Sequence, residues 1–519
     1  MAINDITFVR GQGGLGRAAN GEDYISGMMF LTNDLPSGFD SANRVKQLLS
    51  VQEAENAGIL ADYSDETKAT ATLDVDSNGS TGDTCVIVVN EPLGAVTLCS
   101  YKVASTETTG ALQAAAIANA INNLTYQHGY VATYVSGTSF TLTARAGLGQ
   151  YLNGNNLFDI TNTGSLLVLG TADFSGGVSS KLAQWHYHIS EYYRLNPTGN
   201  LWVGFFALSG NAFDFVELLT MQDAADGKIR QFGVYLNNTG DFNDSASIQY
   251  AVPAIQTQLD VLESQHFPCS AILTTDVSGI SDLTLLQDLT LNARGVSVVI
   301  GQDGVSQDGT KSGLGYQIYM AQAFSIGMMG AVLGAVSRSK VSISAAWVAE
   351  FNLTNGIELA YPAFGNGRAV NRITDKNLLD QLNSRRYIFP IYYPGKSGSY
   401  LNDNHCSITR SSDYAYINDN RVIDKVHRVS YSGLIDSLNG PLLLNSDGTL
   451  ADTTIAYLTS QVDDNLDQMV RDGELSGKNV TINPAQNVLA TSTVVVAVTL
   501  LPLGVTRNIT VNAKYTQTL

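Results

Sequence analysis

The chain has 519 residues, 44% of them hydrophobic and 15% charged, with a formal net charge of −18 at pH 7. That length exceeds one ordinary core, so roughly two to four domains are expected, and the acidic balance excludes a protein that grips a phosphate backbone with a basic face. The low charged fraction, against about a quarter in typical domains, suits a polymer-forming structural protein, though many secreted β proteins share it.

Residues 3–9 read as a short strand, followed by the glycine loop GQGGLG at 11–16. A dinucleotide site would need a helix after those glycines and an acidic residue further on, so the loop is read as a hinge. The opening residues carry Asp5 and no apolar run, and no signal peptide is expected there. Residues 24–31, YISGMMFL, read as a buried strand. The capping box SVQE at 50–53 then opens a helix over 51–57 that stops at Gly58.

Between 70 and 178 the composition shifts toward Thr, Gly, Asn and Val. Strands are expected at 85–90, 96–103 and 139–145, with an alanine-rich helix at 109–124, which together make a self-contained α+β insert. DVDSNGSTGDTC (74–85) carries Asp74, Asp76 and Asn78 at calcium-loop positions, but Cys85 stands where a bidentate glutamate is required. A turn is expected instead. Cys85 and Cys99 could face each other across a hairpin, although free buried thiols are favoured. With Cys269 and Cys406 they show no metal spacing and fit a reducing compartment.

From Trp185 strands and helices alternate. Strands at 201–208, 231–236, 269–276 and 296–303, with helices at 214–225, 254–264 and 283–292, predict a mostly parallel, helix-covered sheet. His186 and His188 lack a third ligand, and Trp185, Tyr187, Tyr192 and Tyr193 around them favour packing over a metal. The uncharged stretch 314–337 reads as a small-residue helix buried in protein rather than a membrane span. A last long helix at 453–471 places Ile455, Leu458, Val462, Leu466 and Met469 on one stripe. No G-x-S-x-G, H-E-x-x-H or G-x-x-x-x-G-K-[ST] motif occurs, and no catalytic, cofactor or metal residue is assigned.

The chain ends in two β-rich runs, 491–501 and 505–514, broken by Pro502 and Gly504. In the second, Val505, Arg507, Ile509 and Val511 alternate with Thr506, Asn508 and Thr510. A lone two-stranded ribbon is marginal in water, so this tail must complete a sheet somewhere. Terminal β segments at both ends suggest strand addition between subunits.

In this order of parts the chain resembles the tail sheath proteins of contractile bacteriophage tails and related contractile injection systems. The insert sequence VTLCSYKVASTETTGALQAAAIANAINNL, followed by SFTLTARAGLGQYLNGN, is similar to the inserted domain of Mu-type sheaths. GAVLGAVSRSKVSISAAWV, QVDDNLDQMVRDGEL and the closing VVVAVTLLPLGVTRNITVNAKY resemble further sheath segments in the same order. The central LAQWHYHISEYYRLNPTGNLWVGFF departs from the Mu-like pattern and resembles variants from Bacteroidetes phages and injection particles.

The resemblance implies an α/β and α+β multidomain fold: a helix-covered mixed β-sheet core with an inserted α+β domain and β-strand terminal arms. Its parts would be an N-terminal arm (1–23), core (24–68), peripheral insert (69–178), core again (179–345), C-terminal sheath domain (346–485) and C-terminal arm (486–519). It implies a non-enzymatic subunit that polymerises as hexameric rings around an inner tube and contracts to drive that tube through an envelope. Inter-subunit strand contacts would fall on Ile3, Ile6, Phe8, Val494, Val496, Val498, Ile509 and Val511. Hinges would fall on Gly11, Gly13, Gly14, Gly16, Pro502 and Gly504. Implied partners are neighbouring copies, the inner tail tube protein, and baseplate and tail terminator proteins, with no cofactor, nucleic acid or membrane insertion. The particle would be a virion tail or injection machine assembled in a bacterial host cytoplasm. The rivals are a hydrolytic enzyme with an accessory β domain and another, non-contractile polymer subunit.

Overall fold

In a computed structural model the described residues are 23–516, apart from 155–156, 208–213, 237–246 and 323. The expected first strand and glycine hinge, with Ile3, Ile6, Phe8, Gly11, Gly13, Gly14 and Gly16, lie outside them.

Seven consecutive buried residues form β1 (Ile25–Leu31). The edge strand β2 (Val45–Leu48) and the helix α1 (Val51–Asn56) come next. The cap forms, with its return bond one residue earlier than a capping box places it: the Ser50 hydroxyl accepts from the Glu53 N–H at 3.2 Å, while the Glu53 carboxylate accepts from the Leu49 N–H at 2.7 Å. Gly58, at φ +83°, takes the chain out of the helix.

The chain then leaves for the insert. There it forms β3 (Thr70–Ser77), β4 (Thr84–Glu91), β5 (Gly94–Lys102), α2 (Gly110–Asn122), α3 (Thr125–His128), β6 (Val131–Tyr134), β7 (Ser139–Thr143), β8 (Phe158–Asn162) and β9 (Leu167–Gly170). Sheets β6–β7–β3–β9 and β5–β4–β8 enclose a core of their own, with Ile87, Leu98, Ile117, Phe140 and Phe174 inside. Cys85 and Cys99 are buried there as free thiols. The calcium-like segment is the β3–β4 turn. The Asp74 carboxylate accepts from the hydroxyls of Thr138 (2.5 Å) and Ser139 (2.8 Å), and the Asp83 carboxylate from the N–H groups of Ser80 and Ser165 at 2.8 Å each.

Helix α4 (Lys181–Leu195) returns the chain to the core. Two adjacent carboxylates clamp the stem. Asp65 accepts from the N–H groups of Lys181 (2.9 Å) and Leu182 (3.0 Å) at the start of α4, a favourable place for an anion. Glu66 accepts from those of Gly147 (2.6 Å) and Gly149 (2.8 Å) in the insert.

The core continues through β10 (Asn200–Phe206), α5 (Glu217–Ala224), β11 (Gln231–Tyr235), α6 (Ser247–Ser264), β12 (Ser270–Thr274), β13 (Val296–Val299), β14 (Gly301–Asp303), α7 (Leu314–Gln322) and α8 (Met329–Arg338). It then adds β15 (Pro362–Phe364), α9 (Lys376–Ser384), β16 (Tyr387–Ile388), β17 (Pro390–Ile391) and β18 (Tyr400–Leu401). The main sheet runs β16–β13–β12–β11–β1–β10–β2, parallel throughout except for β2. Alternate residues serve opposite faces: Ile25, Met29 and Leu31 join α5 and α6 in one core, and Met28 and Phe30 join α4 and α8 in the other. A sheet covered on both faces explains the unbroken apolar strand runs.

Two helix expectations fail. Residues 283–292 make only a 3-10 turn at Leu283–Leu285, because Asp282 and Asp288 accept from the N–H groups of Thr284 and Thr290 at 2.9 Å each and turn the backbone locally. The stretch 314–337 is two helices, not one. Gly327 sits at φ +72° between them, and the nearby Ser325 hydroxyl donates to the Gly365 carbonyl at 2.6 Å. Among the described residues no helix is long and apolar enough to cross a membrane.

Candidate assembly interface

Past the main sheet come α10 (Ile417–Leu434), α11 (Asp452–Arg471), β19 (Leu475–Ile482), α12 (Val488–Thr491) and β20 (Val496–Pro502). The stripe on α11 is as spaced: Leu458, Val462, Leu466 and Met469 are buried. Val462, Leu466 and Met469 meet Val422 and Val426 of α10 and Leu475 and Val480 of β19. Gly473, at φ +70°, turns the chain from α11 into β19. β19 and β20 then pair antiparallel, with Val480 opposite Val498 and Ile482 opposite Val496.

Val496, Val498 and Leu500 pack on the helix layer of their own chain, and Val494 joins the adjoining cluster of Leu450, Leu458 and Ile482. The ribbon has two strands, so among the described residues the outer backbone edges of β19 and β20 are both unpaired. Such edges are templates for another strand.

The second β-rich run is not a strand here, because among the described residues it has no partner to pair with. Its alternation survives in a different form. Leu503, Val505 and Arg507 are half-buried with exposed residues between them, and Asn508 through Thr516 are all exposed. Ile509 and Val511 are each 81% exposed. Pro502 ends the strand, and Gly504 has open space around it.

The first described residue lies beside the same ribbon. Asp23 forms ion pairs with Lys425 (2.7 Å) and Arg428 (2.8 Å) on α10, and Lys425 also pairs with Glu474 (2.7 Å), the residue before β19. Arg421 donates to the Asp23 carbonyl at 3.2 Å. Burial opposes ionisation of Asp23, but Lys425 and Arg428 more than offset it and hold its carboxyl below the usual range. The two ends of the described chain thus depart from one C-terminal unit. Sequence reading missed this cluster and α10 with it. The signal was Arg421, Lys425 and Arg428 at helical spacing beside Val422, Val426 and Val429.

Elsewhere the chemistry is thinner. His186 and His188 sit on α4, where residues two apart point away from each other. His186 lies 3.1 Å from Glu55, and burial pushes fully enclosed His188 down to about 3. Among the described residues no three metal-ligating side chains converge. Burial, with the nearby carboxylates of Glu358 and Glu191, pushes the Asp303 carboxyl well up. Asp303 is fully buried. A cleft of about 500 Å³ lined by Gln150, Asn153, Ser278 and Tyr319 lies where the insert meets α7.

Comparisons place the chain among known proteins. No curated protein matches it. Among solved structures, it is similar to a chain of the anti-feeding prophage baseplate, at 15% identity and TM-score 0.41, over 64% of this chain and 80% of that one. It is also similar to a chain of the contracted sheath complex of an extracellular contractile injection system, PVC, at 12% identity and TM-score 0.41 over the same shares, 64% and 80%. A third is the sheath tail protein of Listeria innocua, at 10% identity and TM-score 0.37, over 92% of this chain and 94% of that one. Residues 3–405 match the DUF2586 N-terminal domain and residues 413–519 the DUF2586 C-terminal domain, so the chain belongs to the DUF2586 family.

Proposed function

We propose that this protein is the sheath subunit of a contractile tail or injection machine. Copies assemble as hexameric rings around an inner tube, and the sheath contracts to drive that tube through a cell envelope. What supports this reading is the unfinished C-terminal ribbon. Among the described residues both its edges are open, the described chain begins at Asp23 against the neighbouring α10, and the tail beyond presents Ile509 and Val511 to water.

An exposed β-branched segment next to an open edge is suited to strand addition. Strands lent between subunits keep their backbone ladder while the bodies swing, which a contracting lattice requires. Pro502 and Gly504 would be the pivot of that swing, and the first 22 residues would supply the second arm. The inner tube, baseplate and tail terminator are the further partners of the proposal, and the particle is a virion tail or injection machine built in a bacterial cytoplasm. The role is mechanical rather than enzymatic: folding-type free energy from new body-to-body contacts drives contraction.

Expression of the chain alone, viewed by negative-stain electron microscopy, tests this. Hollow striated tubes or stacked rings are expected. Uniform small particles at every concentration, with purified tube protein added, would contradict it.

A further inference from the structure

The tail beyond β20 touches its own subunit body in a specific way. Arg507 Nε lies 3.1 Å from the Asp403 carboxylate, and the guanidinium carbon sits 3.3 Å from the centre of the Tyr416 ring. A second guanidinium, that of Arg386, lies 4.9 Å from the same ring. The seat is built, not incidental. Tyr416 immediately precedes α10, and its surroundings are fixed by the Ile417 N–H donating to the Asn404 carbonyl (2.9 Å) and the Cys406 N–H donating to the Ala415 carbonyl (3.0 Å). The Asn404 side-chain amide donates to Asn418 at 2.8 Å. Asp403 is 14% exposed and Arg507 23%.

We infer that Asp403 and Tyr416 form a socket for Arg507 of the C-terminal arm of a neighbouring copy in the assembled lattice, filled by the chain's own Arg507 in the free subunit. The inference rests on the sheath reading and adds to it a named docking point.

Three observations carry it. Apart from Arg507, among the described residues Asp403 accepts only from the Asn404 N–H, at 2.9 Å. An arm that left for a neighbour would therefore strand a largely buried carboxylate, which is costly. Reciprocal exchange around a ring keeps every socket filled, since an exchanged arm remakes in the partner the contact it made at home. Next, among the described residues Arg507 is the last half-buried one of the tail, with Ile509 and Val511 outside. An arm kept at home would leave those side chains in water. Last, a carboxylate under an aromatic face selects a planar guanidinium over an ammonium.

Charge-reversed chains separate exchange from self-docking. Asp403→Arg and Arg507→Asp, each purified alone and shown folded by circular dichroism, are expected not to assemble, or to assemble at least tenfold less than wild type. Mixed one to one, they are expected to co-assemble, because each arm then meets a socket of opposite charge in its neighbour. A single chain carrying both changes should assemble too, which guards against loss through misfolding. A mixture as inert as its components, or either single variant assembling like wild type, would overturn the socket. A wild-type chain that forms no ordered assembly would instead overturn the sheath reading beneath it.

Discussion

The insert and the C-terminal ribbon with its tail are both rich in Thr, Val, Leu and Asn, yet one closes on itself and the other does not. In the insert two sheets share a dedicated core with α2, and polar side chains finish the joints. Gln113, fully buried, accepts from the Gly79 N–H and donates to the Gly79 and Glu107 carbonyls. In the C-terminal unit two strands cover one helix, and the pattern that should make a third strand runs out into solvent. The contrast separates a part that needs only itself from a part shaped to be completed. Period-2 patterning tells where a strand will form but not whose sheet it will join.

The sharpest way to break this contrast is to remove residues 505–519. Assembly should be abolished, while the free subunit stays folded and its melting temperature falls by only about 5 °C, mainly through the Asp403 carboxylate left without Arg507. Electron microscopy and a thermal scan read both. A truncated chain that still forms tubes would make the tail irrelevant.

Asp23→Ala should come next in size. Lys425 would keep only Glu474, and Arg428 would lose its ion-pair partner, at a cost of about 3–5 kcal/mol, read as a drop in urea midpoint. Gln113→Leu should cost about 2 kcal/mol through unpaired backbone groups, and amide exchange should quicken within 70–178 while the C-terminal unit is unchanged.

A further effect depends on pH. Burial, reinforced by Glu263 and opposed by Arg428, raises the Asp424 carboxyl to about 7. Its folded form therefore holds a proton that the unfolded chain has already released, and stability declines as pH climbs from the ordinary carboxylate range toward that value. Asp424→Asn removes this decline. It should gain stability over wild type at pH 8, by at most about 4 kcal/mol for a shift of this size, and nothing at pH 4, by urea unfolding at the two pH values.

How much of this was written locally follows from the same physics. The helix cap at Ser50 and Glu53, the insert strands and the α11 stripe depend on neighbours a few residues away, and each forms as spaced. The helix read at 283–292 lost to aspartate turns at Asp282 and Asp288, which compete for the same backbone groups. The single helix read at 314–337 broke at Gly327, whose positive φ only tertiary packing demanded. The Asp23 cluster was illegible because its partners lie some 400 positions away in the chain, and the Arg507 seat because a lone arginine in a strand pattern looks like solvent-facing polarity.

The central claim is that the insert is complete in the free subunit whereas residues 505–511 find their place only in the assembly. Hydrogen exchange on the free and the assembled protein, followed by mass spectrometry, tests it most directly. The account predicts that amides of 505–511 exchange freely in the subunit and become strongly protected on assembly, while those of β3, β4 and β7 are equally protected in both. Amides of 505–511 that stay unprotected in the assembled particle would contradict it.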